Sequence, residues 1–322
     1  MIGLRHAAAW AVVAGMGATA IAPWTRPGGG RPAAVVRALM PWSALSAVPI
    51  AVGAVAIGRR PLALAATAVG TAGLTMAAPM VVPRRQPAAD PDARPLRITH
   101  ANLLYVNRRV GAVPHVLAGL DADVVTFSEL TPTHVRRLHS TRLSASYPHQ
   151  IEIPDQRAGG AGLWSRWPLT AHEHTSTRHR TIVADVHAPG GVVRVVVVHT
   201  VSPMHGHHLW AQDLDALAQV ATDGPAVMTG DFNASWWHPE MRRLMAAGGW
   251  RDAHQAVGRG LSCSWPASQW NPLFKVHPPF VRLDHALVND GVRVLHATGF
   301  DVPGSDHLGV DVTVQRARPA AL

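Results

Sequence analysis

No acidic side chain occurs before Asp90, and this constrains the fold more than any motif does. Three apolar runs follow one another there, at 7–22, 38–58 and 62–82, with arginines at or near their ends. The second and third are about twenty residues each, the length that crosses a ~30 Å hydrocarbon layer as a helix. Their flanking arginines can snorkel to the interface. Residues 1–85 are therefore read as a transmembrane region with about three helices, which makes this a multi-pass protein of the cell membrane whose first partner is the lipid bilayer. The first, shorter run could instead be a signal peptide cut after Ala18-Thr19-Ala20. The alternative for the other two is a buried hairpin of a soluble domain.

The net charge of +9 invites a polyanionic partner, but its distribution argues otherwise. Eight arginines precede Asp90, leaving 21 basic residues against all 20 acidic ones in the remainder. The basicity belongs to the membrane region, whereas a domain that grips a polyanion by charge needs the reverse. Counting arginines on the two sides does not fix the orientation. Cys263 is the only cysteine, which excludes an intramolecular disulfide and a Cys-rich metal site. Nothing in the chain points to an obligate protein partner.

Residues 86–95, rich in Pro, Ala and Asp, read as a linker. From residue 96 the pattern changes to short apolar strands broken by a few helices. Strands are predicted at 97–104, 123–127, 162–165, 181–187, 192–199, 226–229, 282–288, 292–298 and 308–314, and helices at 110–120, 132–143 and 205–222. The segment VVRVVVVH is almost entirely β-branched, as in a strand covered on both faces. Successive strands with few helices favour two packed sheets with helices outside over one parallel sheet.

Several of these strands carry, at or near an end, a residue that apolar packing would not choose: Asn102, Glu129, His199, Asp231 and Asn233, Asp284, and Asp306 with His307. Each alone has an ordinary explanation as a turn, a cap or a hydrogen-bonded core residue. Together they place carboxylates, carboxamides and imidazoles where strands give way to loops, the usual station of catalytic groups.

The motifs SEL, a His closing a valine-rich strand, GDFN, RLDHALV and GSDHLGV occur in that order. In this the chain resembles the DNase I-like endonuclease/exonuclease/phosphatase superfamily, over about residues 96 to 314. That superfamily includes secreted DNases, abasic-site endonucleases, inositol-polyphosphate phosphatases and sphingomyelinases. The chain is also similar to a subgroup in which the domain follows N-terminal membrane helices, which implies a domain outside the cytoplasm. The resemblance implies an α/β fold, a four-layer sandwich of two mixed sheets flanked by helices, over residues 96–322. It also implies metal-dependent cleavage of a phosphate ester, in nucleic acid or in a phospholipid or sphingolipid.

By the same resemblance, Glu129, Asp306 and Asn102 would hold the metal, Mg²⁺ or Mn²⁺ by the hardness of their oxygens. Asp231 would orient or deprotonate the attacking water, and Asn233 would contact a phosphate oxygen. His307 would be the catalytic histidine, oriented by Asp284, and His199 would stabilise charge on the phosphoryl oxygens. Within GDFN, strand alternation is expected to put Asp231 and Asn233 on one side and Phe232 in the core. Ser128 and Thr200 depart from the superfamily's usual Gln and Leu without removing a ligand. Arg178 and Arg180 are candidates for a phosphate contact. Trp164, Trp236, Trp237, Trp265 and Trp270 could stack on a base or line an apolar pocket, the alternative being ordinary packing. His205, His207 and His208 read as exposed. The competing function is a non-catalytic, membrane-tethered binding module on the same scaffold.

Overall fold

The computed structural model describes residues 2–173, 177–267 and 278–318. Two six-stranded mixed sheets face each other. One runs β11 (Val292–Asp301), β12 (Leu308–Arg316), β1 (Leu96–Asn102), β2 (Val124–Ser128), β4 (Ala161–Ser165), β3 (His149–Ile153). The other runs β5 (Leu169–Ala171), β6 (Ile182–Ala188), β7 (Gly191–His199), β8 (Ala226–Asp231), β10 (Asp284–Val288), β9 (Arg251–Asp252). The expected strands are all present, with ends displaced by up to three residues. The short strands β3, β5 and β9 carried no apolar alternation strong enough to predict.

The valine-rich strand shows how the layers form. Val195 and Val197 enter the core between the sheets, with Ile98, Val124 and Leu163. Val196 and Val198 point outward, under helices α8 (Pro203–Leu217) and α9 (Pro239–Ala247), beside Trp210, Leu214 and Met241. On the outer face of the first sheet, Val125, Phe127 and Trp164 pack with Leu117 of α6 (Val113–Leu120) and Leu138 of α7 (Pro132–His139). A strand buried on both faces has no use for polar alternation, so VVRVVVVH is the sequence that position requires.

The N-terminal region forms α1 (Ile2–Ile21), α2 (Gly30–Ala38), α3 (Trp42–Leu45), α4 (Ala47–Ala56) and α5 (Arg60–Val81). Two helical segments, His6–Trp24 and Arg60–Val81, are long and apolar enough to cross a membrane. The expected span at 38–58 is different. Its helix starts earlier and bends by 60° between Ala38 and Trp42, so it adds a third span only if the bent pair counts as one. Small residues let these helices approach: a Cβ on Gly73 would lie 2.9 Å from Ala44 Cβ. Outward-facing apolar residues such as Leu64, 72 % exposed, have no partner surface within the described residues.

Helix α2 leaves this group and packs on α8 of the sandwich domain. Arg37, expected at a span end where it could snorkel, is 2 % exposed. It donates to the carbonyls of Ala22, Arg26 and Gly28 and to Thr25 Oγ1, closing the loop ahead of α2. Glu240 of α9 accepts from Gly28 N at 2.8 Å and lies 3.7 Å from the Arg37 guanidinium. The segment 86–95 is also tied down, with Gln86 pairing with Val294 and Ala89 bridging to Ala317.

Candidate active site

One end of the sandwich collects the polar residues because of how the strands run. β1 and β2 are parallel, as are β7 and β8, so all four finish at that end. The antiparallel β10 begins there with Asp284, and β12 begins just after His307. In the second sheet the register is direct: His199 pairs with Asp231, and Asp231 pairs with Asp284. Asn102 and Glu129 arrive from the first sheet opposite them.

Asp231 Oδ2 is the meeting point. It accepts from Asn102 Nδ2 at 3.2 Å, and it lies 3.7 Å from His199 Nε2 and 3.9 Å from His307 Nε2. Asn102 Nδ2 also reaches Glu129 Oε1 at 3.2 Å, and Glu129 Oε2 accepts from Tyr105 N at 2.8 Å. His307 Nδ1 sits 2.8 Å from Asp284 Oδ2. Asp306 closes the group, with Oδ1 at 4.0 Å from His307 Nε2 and Oδ2 accepting from Trp265 Nε1. The predicted residues Asn102, Glu129, His199, Asp231, Asp284, Asp306 and His307 thus form one linked set.

Asn233 is there by another route than alternation. β8 stops at Asp231, and Asn233 adopts a left-handed conformation at φ 47°. Asp231 Oδ1 accepts from Asn233 N at 2.8 Å, an Asx turn that swings the residue back into the cavity. Its amide donates to Thr200 O. Phe232 is fully buried, as expected. Glu129 also has positive φ, 56°, and such strain in a non-glycine residue gathers at functional sites. The glycine of GDFN is required by closeness: a Cβ on Gly230 would fall 1.9 Å from Val198 O.

Burial dominates the electrostatics. It pushes Asp231 up to about 8, with His307 opposing and Asp284 adding to the rise. It raises Glu129 as well. For His307, burial works downward but is outweighed by Asp284 and Asp231, which lift it well above the ordinary histidine value. Asp284 goes down in spite of burial because His307 is beside it. The pair is therefore carboxylate and imidazolium. Burial takes His199 down to about 3, and its Nδ1 faces Ala158 O at 2.9 Å, so the neutral ring turns Nε2 toward Asp231.

Among the described residues, Asp231, Asp284 and His307 bring one ligand atom each to within 4.8 Å of one another. We do not read them as a cation cage, because the His307 imidazolium would repel the ion. Glu129 and Asp306 fit a hard cation better. Asp306 Oδ1 is buried without a hydrogen-bond partner among the described residues, a lone pair that a cation would satisfy. Asn102 enters through its NH₂, which links Glu129 to Asp231, while its carbonyl oxygen accepts from Leu104 N.

The departures from the superfamily pattern stay clear of this set. Ser128 bonds His100 and Val198 O between the sheets, and Thr200 bonds Phe232 O. Arg178 is fastened to Asp213, Gln212 and Leu209 O of α8, and Arg180 is exposed. Trp164 is core; Trp236 and Trp237 pack against the N-terminal region; Trp265 lines the cavity; Trp270 lies outside the described residues. His207 is not on the open surface as expected: it packs on Trp210 beside Glu240, while His205 and His208 are exposed. Sequence reasoning missed His179, whose ring lies 4.3 Å from that of His199. It also missed Ala34, Val35, Ala38 and Leu39, which line the cavity from α2 and its end.

The pattern that defines the Endonuclease/Exonuclease/phosphatase family matches residues 99–307. Among solved structures, an endonuclease/exonuclease/phosphatase from Beutenbergia cavernae superposes with a TM-score of 0.53 at 19% identity, over 71% of this chain and 73% of that one. D. rerio TDP2, in complex with a single-strand DNA product, gives 0.54 at 20% identity over 69% and 99%. An endonuclease/exonuclease/phosphatase from Bacteroides vulgatus gives 0.52 at 15% over 70% and 100%. No curated protein matches by sequence. At these identities the structural likeness establishes the fold.

Proposed function

Because this chain belongs to the Endonuclease/Exonuclease/phosphatase family, we propose that it is a membrane-anchored, divalent-metal-dependent phosphoesterase that opens a phosphodiester or phosphomonoester by attack of an activated water. The observation that carries this reading is the convergence on Asp231 Oδ2 of groups from both sheets, Asn102 and His307 from the first and His199 from the second.

Each residue has work suited to its surroundings. A carboxyl group held near 8 can take a proton from water close to neutral pH, which suits Asp231. The His307 imidazolium, fixed by Asp284, donates toward a phosphate oxygen. His199 is neutral at rest, and an arriving phosphate anion favours its charged, donating form. Asn233 stands at the rim for a further phosphate oxygen. Glu129 and Asp306 would bind Mg²⁺ or Mn²⁺, with Asn102 tying Glu129 to Asp231. The cation, when bound, would supply positive charge against that developing on the phosphoryl oxygens.

Helices α1 and α5 support anchoring in a membrane, and the subgroup resemblance favours a domain outside the cytoplasm. A reporter fused after Leu322 tests the side. Hydrolysis of bis-p-nitrophenyl phosphate by the full-length protein, with Mg²⁺ or Mn²⁺ against EDTA, tests the activity. Turnover that needs metal and is lost in Glu129→Gln and His307→Ala supports it. Inertness with diester, monoester and lipid substrates across metals supports the binding-module reading instead.

A further inference from the structure

The cavity above these residues encloses about 650 Å³, and its walls contrast with its floor. Val35, Ala38 and Leu39 form one wall, from α2 and the residue after it; Met204 of α8, with Val281 and Leu283, belongs to the same lining. Val35 and Leu39 are four residues apart, so they stand on one helix face. They and Met204 remain exposed beside a charged floor, although each is large and apolar. No arginine or lysine lines the cavity among the described residues. A nucleic-acid strand would bring neighbouring phosphates that need such cations.

The origin of the apolar wall adds to this. Helix α2 lies in sequence between the two candidate spans, and the Arg37 cage and the His238–Ala34 hydrogen bond lock it to the domain. The catalytic cavity is thus walled on one side by the membrane region itself.

Resting on the phosphoesterase reading, we infer that the substrate is an amphiphilic phosphate ester, its phosphate on the polar floor and its alkyl chain against Val35 and Leu39. Hydrolysis forms a bond from water oxygen to phosphorus and breaks the ester P–O bond. One water proton passes to Asp231 and on to solvent or to the leaving oxygen.

Ethyl and octyl p-nitrophenyl phosphate carry the same reacting group and test this directly. The full-length protein is held in amphipol with Mn²⁺. The octyl ester is expected to have a kcat/KM at least about thirtyfold higher, since its longer chain is buried. Val35→Asn, Leu39→Asn and Met204→Gln should each lower the octyl-to-ethyl ratio at least about fivefold, and Val35→Leu should preserve it. Melting curves identify any variant that misfolds, leaving the others to decide. Equal use of the two esters overturns the inference and leaves the phosphoesterase reading standing. So does a preference that the variants do not move, or faster cleavage of a single-stranded oligonucleotide than of the octyl ester. Hydrolysis of no ester with any metal overturns both.

Discussion

Asp231 and Asp284 are register partners on neighbouring antiparallel strands, and both are buried. Two carboxylates directly opposite in a sheet repel each other. His307 resolves the conflict by meeting Asp284 through Nδ1 at 2.8 Å and turning Nε2 toward Asp231 at 3.9 Å.

His307→Ala therefore takes from the buried Asp284 carboxylate the cation that holds it charged, and leaves the opposite Asp231 pushed still further toward its neutral form. Stability should fall by ~3–5 kcal/mol, read by chemical or thermal unfolding, and turnover of bis-p-nitrophenyl phosphate should be lost. Asp284→Asn removes the charge that holds the imidazolium and should cost about 10²–10⁴-fold in kcat with a milder effect on folding.

Glu129→Gln should separate function from stability. Burial raises the Glu129 pKa, so its stabilising contribution is full below the unfolded value and is lost as pH rises through the folded one. At neutral pH without metal the charge is a cost, and the glutamine variant should melt no lower than wild type. The upward shift in melting that Mn²⁺ gives the wild type should vanish in the variant, along with activity.

Arg37→Lys should fail to replace arginine. One ammonium cannot serve the carbonyls of Ala22, Arg26 and Gly28 and the Thr25 hydroxyl at once. Glu240 keeps a positive neighbour, so the loss comes from the carbonyls left unpaired in the loop, about 1–3 kcal/mol for each one buried. Limited proteolysis should cut at residues 25–30 in the variant and spare the wild type.

His238 makes the docking of α2 depend on pH. Its Nε2 donates to Ala34 O and its Nδ1 accepts from Ser235 N, a pattern that only the neutral ring can satisfy. Burial lowers it to about 4. The unfolded ring takes its proton first, near ~6.5, so the stability it contributes is full above that pH and is lost as pH falls toward the folded value. Proteolytic protection of residues 25–30 should weaken across that window, and His238→Ala should flatten the dependence.

The sandwich was legible because two-sided burial leaves a plain mark. VVRVVVVH and DVVTF tolerate no polar alternation, and both became central strands. The site was legible for the complementary reason, that Asn102, Glu129, Asp231 and Asp284 have no apolar excuse at a strand end. Alternation does not bring Asn233 to the cavity, because it is a rule for strands and an Asx turn has ended this one. The role of α2 was not legible. Its apolar residues fit a lipid span equally well, and only the loop closed by Arg37 and the contacts with Glu240 and His238 bring them to the cavity. Such contacts, some two hundred residues apart in sequence, leave no periodic trace.

Whether Glu129 and Asp306 hold one divalent cation beside Asp231 and His307 decides the proposed chemistry, and anomalous diffraction from crystals grown with Mn²⁺ reads it out. A single Mn²⁺ peak is expected at about 2.1 Å from a Glu129 carboxylate oxygen, the bond length of a hard octahedral cation, and on the cavity side of Asp306. A well-ordered site with no peak there, or with the cation bound elsewhere and Glu129 turned away, would contradict that chemistry.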